Sequence, residues 1–190
     1  MQQLKTTCFL PFVFLFLLTS CSLFRSKPEP VVYRNPAPKP GTRPGAAKPA
    51  GKVVDAATYQ RQYAREVVSI ARTYTGTPYR SGGTSTSGID CSGLLYAAFN
   101  TVGLQMPRIS WQQSEIGYEV EVDKVRPGDL LFFVPDKGKA GYISHTGIVT
   151  EVRSRADIRF IHASSSRGVR EDNLFTDYFK GRFVKAVRPF

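Results

Sequence analysis

Apolar positions recur with two different periods along the chain, and the change of period separates predicted helices from predicted strands. Residues 59–74 place apolar side chains on one helical face with polar side chains largely opposite, and residues 94–102 repeat a helical pattern. Residues 130–134, 145–150, 158–163 and 182–188 instead form short apolar runs that are typical of strands. Helices followed by consecutive strands predict an α+β fold with an antiparallel sheet.

The two histidines of the chain fall on neighbouring predicted strands. A short polar segment at residues 153–157 separates these strands and predicts a hairpin between them. His145 begins the first strand and His162 lies near the end of the second. Opposed strands therefore bring both imidazoles near one edge of the sheet.

Cys91 is a candidate nucleophile because it begins the second predicted helix. A glycine-rich, turn-prone run at residues 81–88 precedes it, and the apolar period starts directly after it. Unpaired N–H groups and the helix dipole favour a negative charge there, which predicts a lowered thiol pKa. A thiol, a base and a group that orients the base are the three parts of nucleophilic catalysis. The alternative is a small, buried, apolar cysteine.

The N-terminus is typical of an export signal. Lys5 precedes an apolar run at residues 9–18, which is too short to span a bilayer, so residues 1–20 are interpreted as a signal peptide. The closing Leu18-Thr19-Ser20-Cys21 resembles the lipobox of bacterial lipoproteins, which makes Cys21 the expected lipidation site; an ordinary secretory signal is the alternative. With Cys8 removed and Cys21 lipidated, Cys91 would be the remaining thiol.

Residues 21–52 are interpreted as a tether, because seven prolines lie among Gly, Ala, Lys and Arg. Seven basic residues against one acidic residue give this segment +6 of the chain's formal charge of +11. The remaining domain, residues 53–190, lacks a dense basic stripe, so nucleic acid is not expected as a partner. The tether suits an anionic membrane or cell wall, or simply keeps the chain soluble.

Six motifs occur in an order that resembles the NlpC family of papain-like cell-wall cysteine peptidases. They are Gly76-Thr77-Pro78-Tyr79 with Gly82-Gly83, Gly88-Ile89-Asp90-Cys91-Ser92-Gly93, Met106-Pro107-Arg108, Pro127-Gly128-Asp129-Leu130, His145-Thr146-Gly147-Ile148-Val149 and Phe160-Ile161-His162-Ala163-Ser164. The resemblance covers residues 59–188. It implies a papain-like fold in which the nucleophile helix packs on a central antiparallel sheet.

The resemblance also implies roles for individual residues. Cys91 would be the nucleophile, His145 the base and His162 the residue that orients His145. Tyr79 would face the site, and Asp90 and Ser92 would line the pocket for the free polar ends of the peptide. Family members often carry an aromatic residue where this chain has Ser81. No metal or cofactor is expected; zinc held by the cysteine and both histidines is the rival chemistry, but the ligand spacing is unusual for it.

The function expected from these features is a lipid-anchored endopeptidase that cuts stem or cross-link peptides of peptidoglycan. The bond would be either γ-D-Glu to the diamino acid or D-Ala to the diamino acid. The protein is expected to be a monomer. In a Gram-negative source it would lie on the outer membrane facing the periplasm, because Ser22 follows the lipidated cysteine where an aspartate would signal inner-membrane retention. A non-catalytic wall-binding adaptor and a Cys–His amidase or acyltransferase acting on another amide or lipid are the alternatives.

Overall fold

The computed structural model describes residues 54–136 and 142–190, so the predicted signal peptide, Cys21 and the tether lie outside the described residues. The first elements form one nearly continuous helical segment, as the sequence predicts. It consists of α1 (Ala56–Thr58), a π-helical turn (Tyr59–Tyr63) and α2 (Ala64–Thr73). Asp55 caps its start by accepting hydrogen bonds from the N–H groups of Ala57 and Thr58.

The glycine-rich run forms a small hairpin in front of the nucleophile helix. Its strands are β1 (Thr84–Ser85) and β2 (Gly88–Ile89), and α3 (Cys91–Thr101) begins two residues after β2. A short helix, α4 (Ser110–Gln113), follows across a loop. Within the described ranges, no helix has both the length and the apolar content needed to cross a lipid bilayer.

The second half of the described chain forms a six-stranded antiparallel sheet. Its strands are β3 (Tyr118–Val120), β4 (Leu130–Phe133), β5 (His145–Ser154), β6 (Asp157–Ser164), β7 (Gly168–Asn173) and β8 (Phe183–Arg188). A 3-10 turn (Val122–Lys124) precedes β4, and α5 (Asp177–Lys180) lies between β7 and β8. The strand order is β3-β8-β4-β5-β6-β7, and each neighbouring pair is antiparallel.

The sheet separates two hydrophobic cores. Along β4, Leu130 and Phe132 pack towards the helices, whereas Leu131 and Phe133 pack into the second core, which also contains Phe179 of α5. This alternation follows from the period of two in a strand that is buried on both faces. The α+β class and the packing of α3 against the sheet are therefore confirmed.

Two strands were not predicted from the sequence. In β3 and β7 polar residues dominate, and only Val120 and Val169 add an aliphatic side chain. A strand of this kind shows no clear period, because backbone pairing to a neighbour rather than burial defines it.

Candidate active site

Cys91 lies at the first position of α3, as predicted, and faces a cavity of about 640 Å³. Its side chain is almost fully buried, with 6% of the residue exposed. The same cavity is lined by Tyr79, Ser144, His145 and His162. The structure therefore brings the predicted nucleophile and both histidines to a single cleft.

Asp90 caps the helix that carries Cys91. One carboxylate oxygen accepts hydrogen bonds from the Gly93 N–H at 2.7 Å and from the Ser92 hydroxyl at 3.1 Å, and the other accepts the Gly82 N–H at 2.7 Å. Arg108 adds a two-pronged ion pair at 3.0 and 2.7 Å. Burial by itself would raise the pKa of Asp90, but these partners outweigh it and the pKa is lowered.

Asp90 and Ser92 line the back of the nucleophile turn instead of the cavity wall. Neither is among the residues that line the main cavity, and the Ser92 hydroxyl accepts a 2.8 Å hydrogen bond from Arg108. Their expected contact with the polar ends of a peptide stays a prediction. What the structure adds is a positioning role, because the Asp90 network joins the glycine hairpin to the start of α3.

The two histidines form a direct hydrogen bond. Nε2 of His145 lies 2.9 Å from Nδ1 of His162, and Nε2 of His162 lies 2.9 Å from Oδ2 of Asp172 on β7. Arg170 in turn donates to Oδ1 of Asp172 at 2.8 Å. The rings are also held by Phe133, Phe160 and Phe179 at centroid distances of 5.0 to 5.9 Å. His162 therefore orients His145, and Asp172 orients His162.

This chain of hydrogen bonds determines which nitrogen of His145 is basic. A carboxylate only accepts, so Nε2 of His162 carries the proton and Nδ1 of His162 is the acceptor. Nε2 of His145 must then be the donor, which leaves Nδ1 of His145 unprotonated. A free Nδ1 lone pair is what a general base for the Cys91 thiol requires.

The resting charges of the pair differ from the sequence-based expectation. Burial raises the pKa of the Cys91 thiol to about 11, although the N–H groups of Thr146, Ser92 and Cys91 oppose the rise. Burial, aided by His162, lowers the pKa of His145 to about 3. The expected lowering of the thiol pKa was wrong, because desolvation outweighs the helix start in this enclosed site. Cys91 therefore rests as a neutral thiol, with its Sγ 3.8 Å from the Ser144 carbonyl oxygen, and His145 rests as a neutral imidazole.

Tyr79 lies at the rim of the cavity, with 37% of the residue exposed. A bridge between Tyr79 and Ile89 holds its backbone beside the start of α3. Burial and the nearby Cys91 and Asp90 raise the pKa of its phenol, so the hydroxyl keeps its proton and can donate. The structure thus places Tyr79 where the resemblance implied, while its contact with substrate stays a prediction.

Sequence reasoning missed four charged residues at or beside this site. Asp172 lies on the polar strand β7, and Arg108, although part of a quoted motif, had no assigned role. Arg167 and Arg182 line the same cavity as the two histidines. A carboxylate on the strand next to a histidine leaves no local signal in the sequence, because only the pairing of β6 with β7 brings Asp172 and His162 together.

The zinc alternative needs three ligands at one point. Within residues 54–136 and 142–190, no group of three His, Cys, Asp or Glu side chains is arranged to hold a metal ion. Nδ1 of His162 is taken up by His145 and its Nε2 by Asp172, so neither ring nitrogen of His162 is free to coordinate.

Comparison with known proteins agrees with this geometry. Residues 76–188 match the model of the NlpC/P60 family. The probable endopeptidase NlpC of Escherichia coli K12 is 40% identical over 114 residues, which is 60% of this chain and 70% of that protein. Murein DD-endopeptidase MepS, also named murein LD-carboxypeptidase, from the same strain is 37% identical over 114 residues, 60% of this chain and 56% of that protein.

A solved structure shares the fold. The crystal structure of an NlpC/P60 family protein from Bacillus cereus superposes with a TM-score of 0.60 at 30% identity, and the match covers 66% of this chain and 40% of that one. The family match spans more than half of the chain and contains the cysteine, both histidines and Asp172. This chain belongs to the NlpC/P60 family.

Proposed function

We propose that this protein is a cysteine peptidase that hydrolyses peptide bonds of peptidoglycan. The observation that carries the proposal is the hydrogen-bonded series His145, His162 and Asp172 in the same cavity as Cys91. The endopeptidase names of relatives at 37 to 40% identity support the substrate class.

The acylation step starts from the neutral pair. Nδ1 of His145 takes the Sγ proton as sulfur attacks the carbonyl carbon, and the carbonyl π electrons move onto oxygen. N–H groups at the start of α3, together with the Tyr79 hydroxyl, would stabilise that oxygen. His145 then gives the proton to the amide nitrogen, the C–N bond breaks and a thioester remains on Cys91.

Deacylation runs through the same base. His145 takes a proton from water while the water oxygen adds to the thioester carbon, and the C–S bond breaks as the tetrahedral intermediate collapses. The sulfur recovers the proton from His145, so the thiol is restored and the peptide leaves with a new carboxyl group. Because the resting thiol is neutral, each attack costs a proton transfer that a preformed thiolate would not need.

The proposal extends to the scissile bond and the location. The bond is either γ-D-Glu to the diamino acid or the D-Ala cross-link; the name of the 38% identical γ-D-glutamyl-L-lysine dipeptidyl-peptidase of Bacillus subtilis supports the first, and the MepS name supports the second. For location, we propose a monomer that is lipidated at Cys21 and anchored in the outer membrane facing the periplasm, supported by Leu18-Thr19-Ser20-Cys21 and Ser22.

Mass spectrometry of defined muropeptides tests the function. The full chain is incubated with cross-linked dimers and with free tripeptides and tetrapeptides, beside Cys91→Ala and Cys91→Ser. We expect the two variants to lose roughly a thousandfold or more of the activity, because the nucleophile acts as a unit with its base. Dimers converted to monomers would identify a D,D-endopeptidase, and release of the diamino acid a γ-D-Glu-specific enzyme.

Undiminished cleavage by both variants would contradict the proposal. Binding of muropeptides without turnover by the wild type would favour the adaptor, and turnover of other amides or lipids alone would favour the amidase or acyltransferase. The intact mass of the mature protein tests the anchor, since an unmodified Cys21 would contradict lipidation.

A further inference from the structure

We propose that the cavity wall formed by Arg182, Arg167 and the serines between β6 and β7 binds a free carboxylate on the amine side of the scissile bond. The peptidase would then select substrates whose leaving segment is anionic. This inference rests on the proposed function and deepens it.

Arg182 is a cation that neutral groups hold in place. Its Nε donates to the Pro135 carbonyl at 3.0 Å and its Nη1 to the Tyr178 carbonyl at 3.0 Å, while its Cζ lies 4.1 Å from the Tyr178 ring centroid. Neutral partners orient the guanidinium without cancelling its charge. Within the described ranges no carboxylate pairs with it, and Nη2 has no protein acceptor.

Arg167 supplies a second positive charge from the turn between β6 and β7. Its side chain is exposed and makes no hydrogen bond or ion pair among the residues that the structure describes. Ser164, Ser165 and Ser166 line the same cavity and carry hydroxyl donors. Two guanidinium groups beside three hydroxyls form a donor set that suits a carboxylate.

The charge balance of the cavity also favours an anion. Asp172 is the single acidic side chain among the described residues that line it, and its oxygens are occupied by His162 and Arg170. The positive charges of Arg167 and Arg182 are therefore uncompensated by any acid in the described wall. A cleft lined by positive charges focuses their field and attracts anions.

The direction of the reaction assigns this wall to the amine side. His145 must deliver its proton to the leaving nitrogen, so the amine segment leaves over the histidines. Arg167 and Arg182 line the same cavity as Cys91, His145 and His162, whereas Asp90 and Arg108, which pair with each other, are not among its lining residues. A carboxylate on the first residue of the leaving segment would therefore meet the two arginines.

The test compares matched substrates. Once the cleaved bond is known, two peptides are made that differ only in whether the first residue on the amine side carries a carboxylate or a carboxamide. With the full chain we expect kcat/KM for the carboxylate to exceed that for the carboxamide by about tenfold or more, as for a charge-assisted hydrogen bond.

Substitutions of Arg182 and Arg167 test whether these two residues cause the preference for the carboxylate substrate. Arg182→Gln and Arg167→Gln should each lower kcat/KM for the carboxylate by about tenfold and change the carboxamide by less than about twofold. Arg182→Lys should keep part of the preference, because it keeps the charge. Arg155→Gln, an exposed arginine in the β5–β6 turn outside the cavity, is the matched control and should change neither substrate.

Each outcome separates the two proposals. Equal rates on both peptides in the wild type, or a preference that survives in both arginine-to-glutamine variants, would overturn the carboxylate site and leave the peptidase intact. The Arg167 side chain makes no hydrogen bond or ion pair among the described residues, so its variant guards against misfolding of the Arg182 variant. No Cys91-dependent cleavage of any muropeptide would contradict the proposed function, and the carboxylate site with it.

Discussion

Asp172 is linked to His145 through His162, so replacing one carboxylate oxygen of Asp172 should change which nitrogen of His145 can accept the proton of Cys91. In Asp172→Asn the amide can donate to Nε2 of His162, which places the proton of His162 on Nδ1 and that of His145 on Nδ1. The base would then present a proton to the thiol. We expect kcat to fall by about a hundredfold, less than for a carboxylate in direct contact with the base.

Steady-state kinetics separates this effect from a loss of structure. KM should stay within about twofold and Asp172→Glu should recover part of kcat, because the carboxylate returns. The control is Asp123→Asn, an exposed aspartate in the 3-10 turn. A variant that raises KM alone, or unfolds at a lower denaturant concentration in proportion to its activity loss, would speak against orientation.

The raised pKa of Cys91 predicts an unusual alkylation profile. A thiol with a pKa near 11 holds its proton at neutral pH, and its thiolate fraction rises with pH until that value. The rate of modification by iodoacetamide should therefore increase about tenfold per pH unit from pH 7 to pH 9. The measurement follows the peptide that contains Cys91 by mass spectrometry.

Free cysteine treated in parallel gives the reference, since its rate begins to level near its ordinary pKa of about 8.5. A preformed thiolate–imidazolium pair would instead give a rate that is flat between about pH 5 and pH 8. A flat profile would contradict the neutral resting pair and restore the expectation from the helix start.

At the scale of elements, the glycine hairpin and α3 are in close backbone contact. A Cβ added at Gly93 would press into the backbone carbonyl of Gly83, which already accepts hydrogen bonds from the Asp90 N–H and Arg108. Backbone cannot move aside as a flexible side chain can. The motif glycines therefore permit close packing in addition to turning the chain.

Gly93→Ala should lower the free energy of unfolding by about 1 to 3 kcal/mol, as other over-packing substitutions do. Denaturant titration measures it. Asn100→Ala, at an exposed position further along α3, is the control and should remain within about 0.5 kcal/mol of the wild type. An unchanged midpoint for Gly93→Ala would mean that the hairpin can shift.

β7 was not predicted from the sequence, yet it carries a residue of the candidate active site. Its polar sequence gives no strand signal, yet it pairs with β6 along its whole length and carries Asp172 to His162. Its first residues also anchor the segment before Tyr79, since Val169 donates to the Thr77 carbonyl and accepts from the Gly76 N–H. One strand therefore supports both the base and the rim.

At the scale of the whole molecule, Asp129 joins the first helix to the last strand. It is fully buried and accepts two hydrogen bonds from Arg188 at 3.0 and 2.8 Å, and one from Gln60 at 3.2 Å. Burial raises its pKa in spite of Arg188. Asp129 belongs to one of the motifs identified in the sequence, but its partners, 69 and 59 residues away in sequence, were not predicted.

The sequence by itself determined the α+β class, the strands at residues 130–134, 145–150, 158–163 and 182–188, and the candidate nucleophile Cys91 with its two histidines. These features are local, because periodicity, turn residues and a cysteine at a helix start each depend only on residues that are close together in the sequence. The tertiary structure decided what depends on distance and burial. These features are the protonated state of the thiol, the proton positions on both histidines, the hydrogen bond from His162 to Asp172, and the two arginines of the cavity wall that have no acidic partner among the described residues. Desolvation and pairing between distant strands have no counterpart in a single local pattern, which is why only the folded chain determines them.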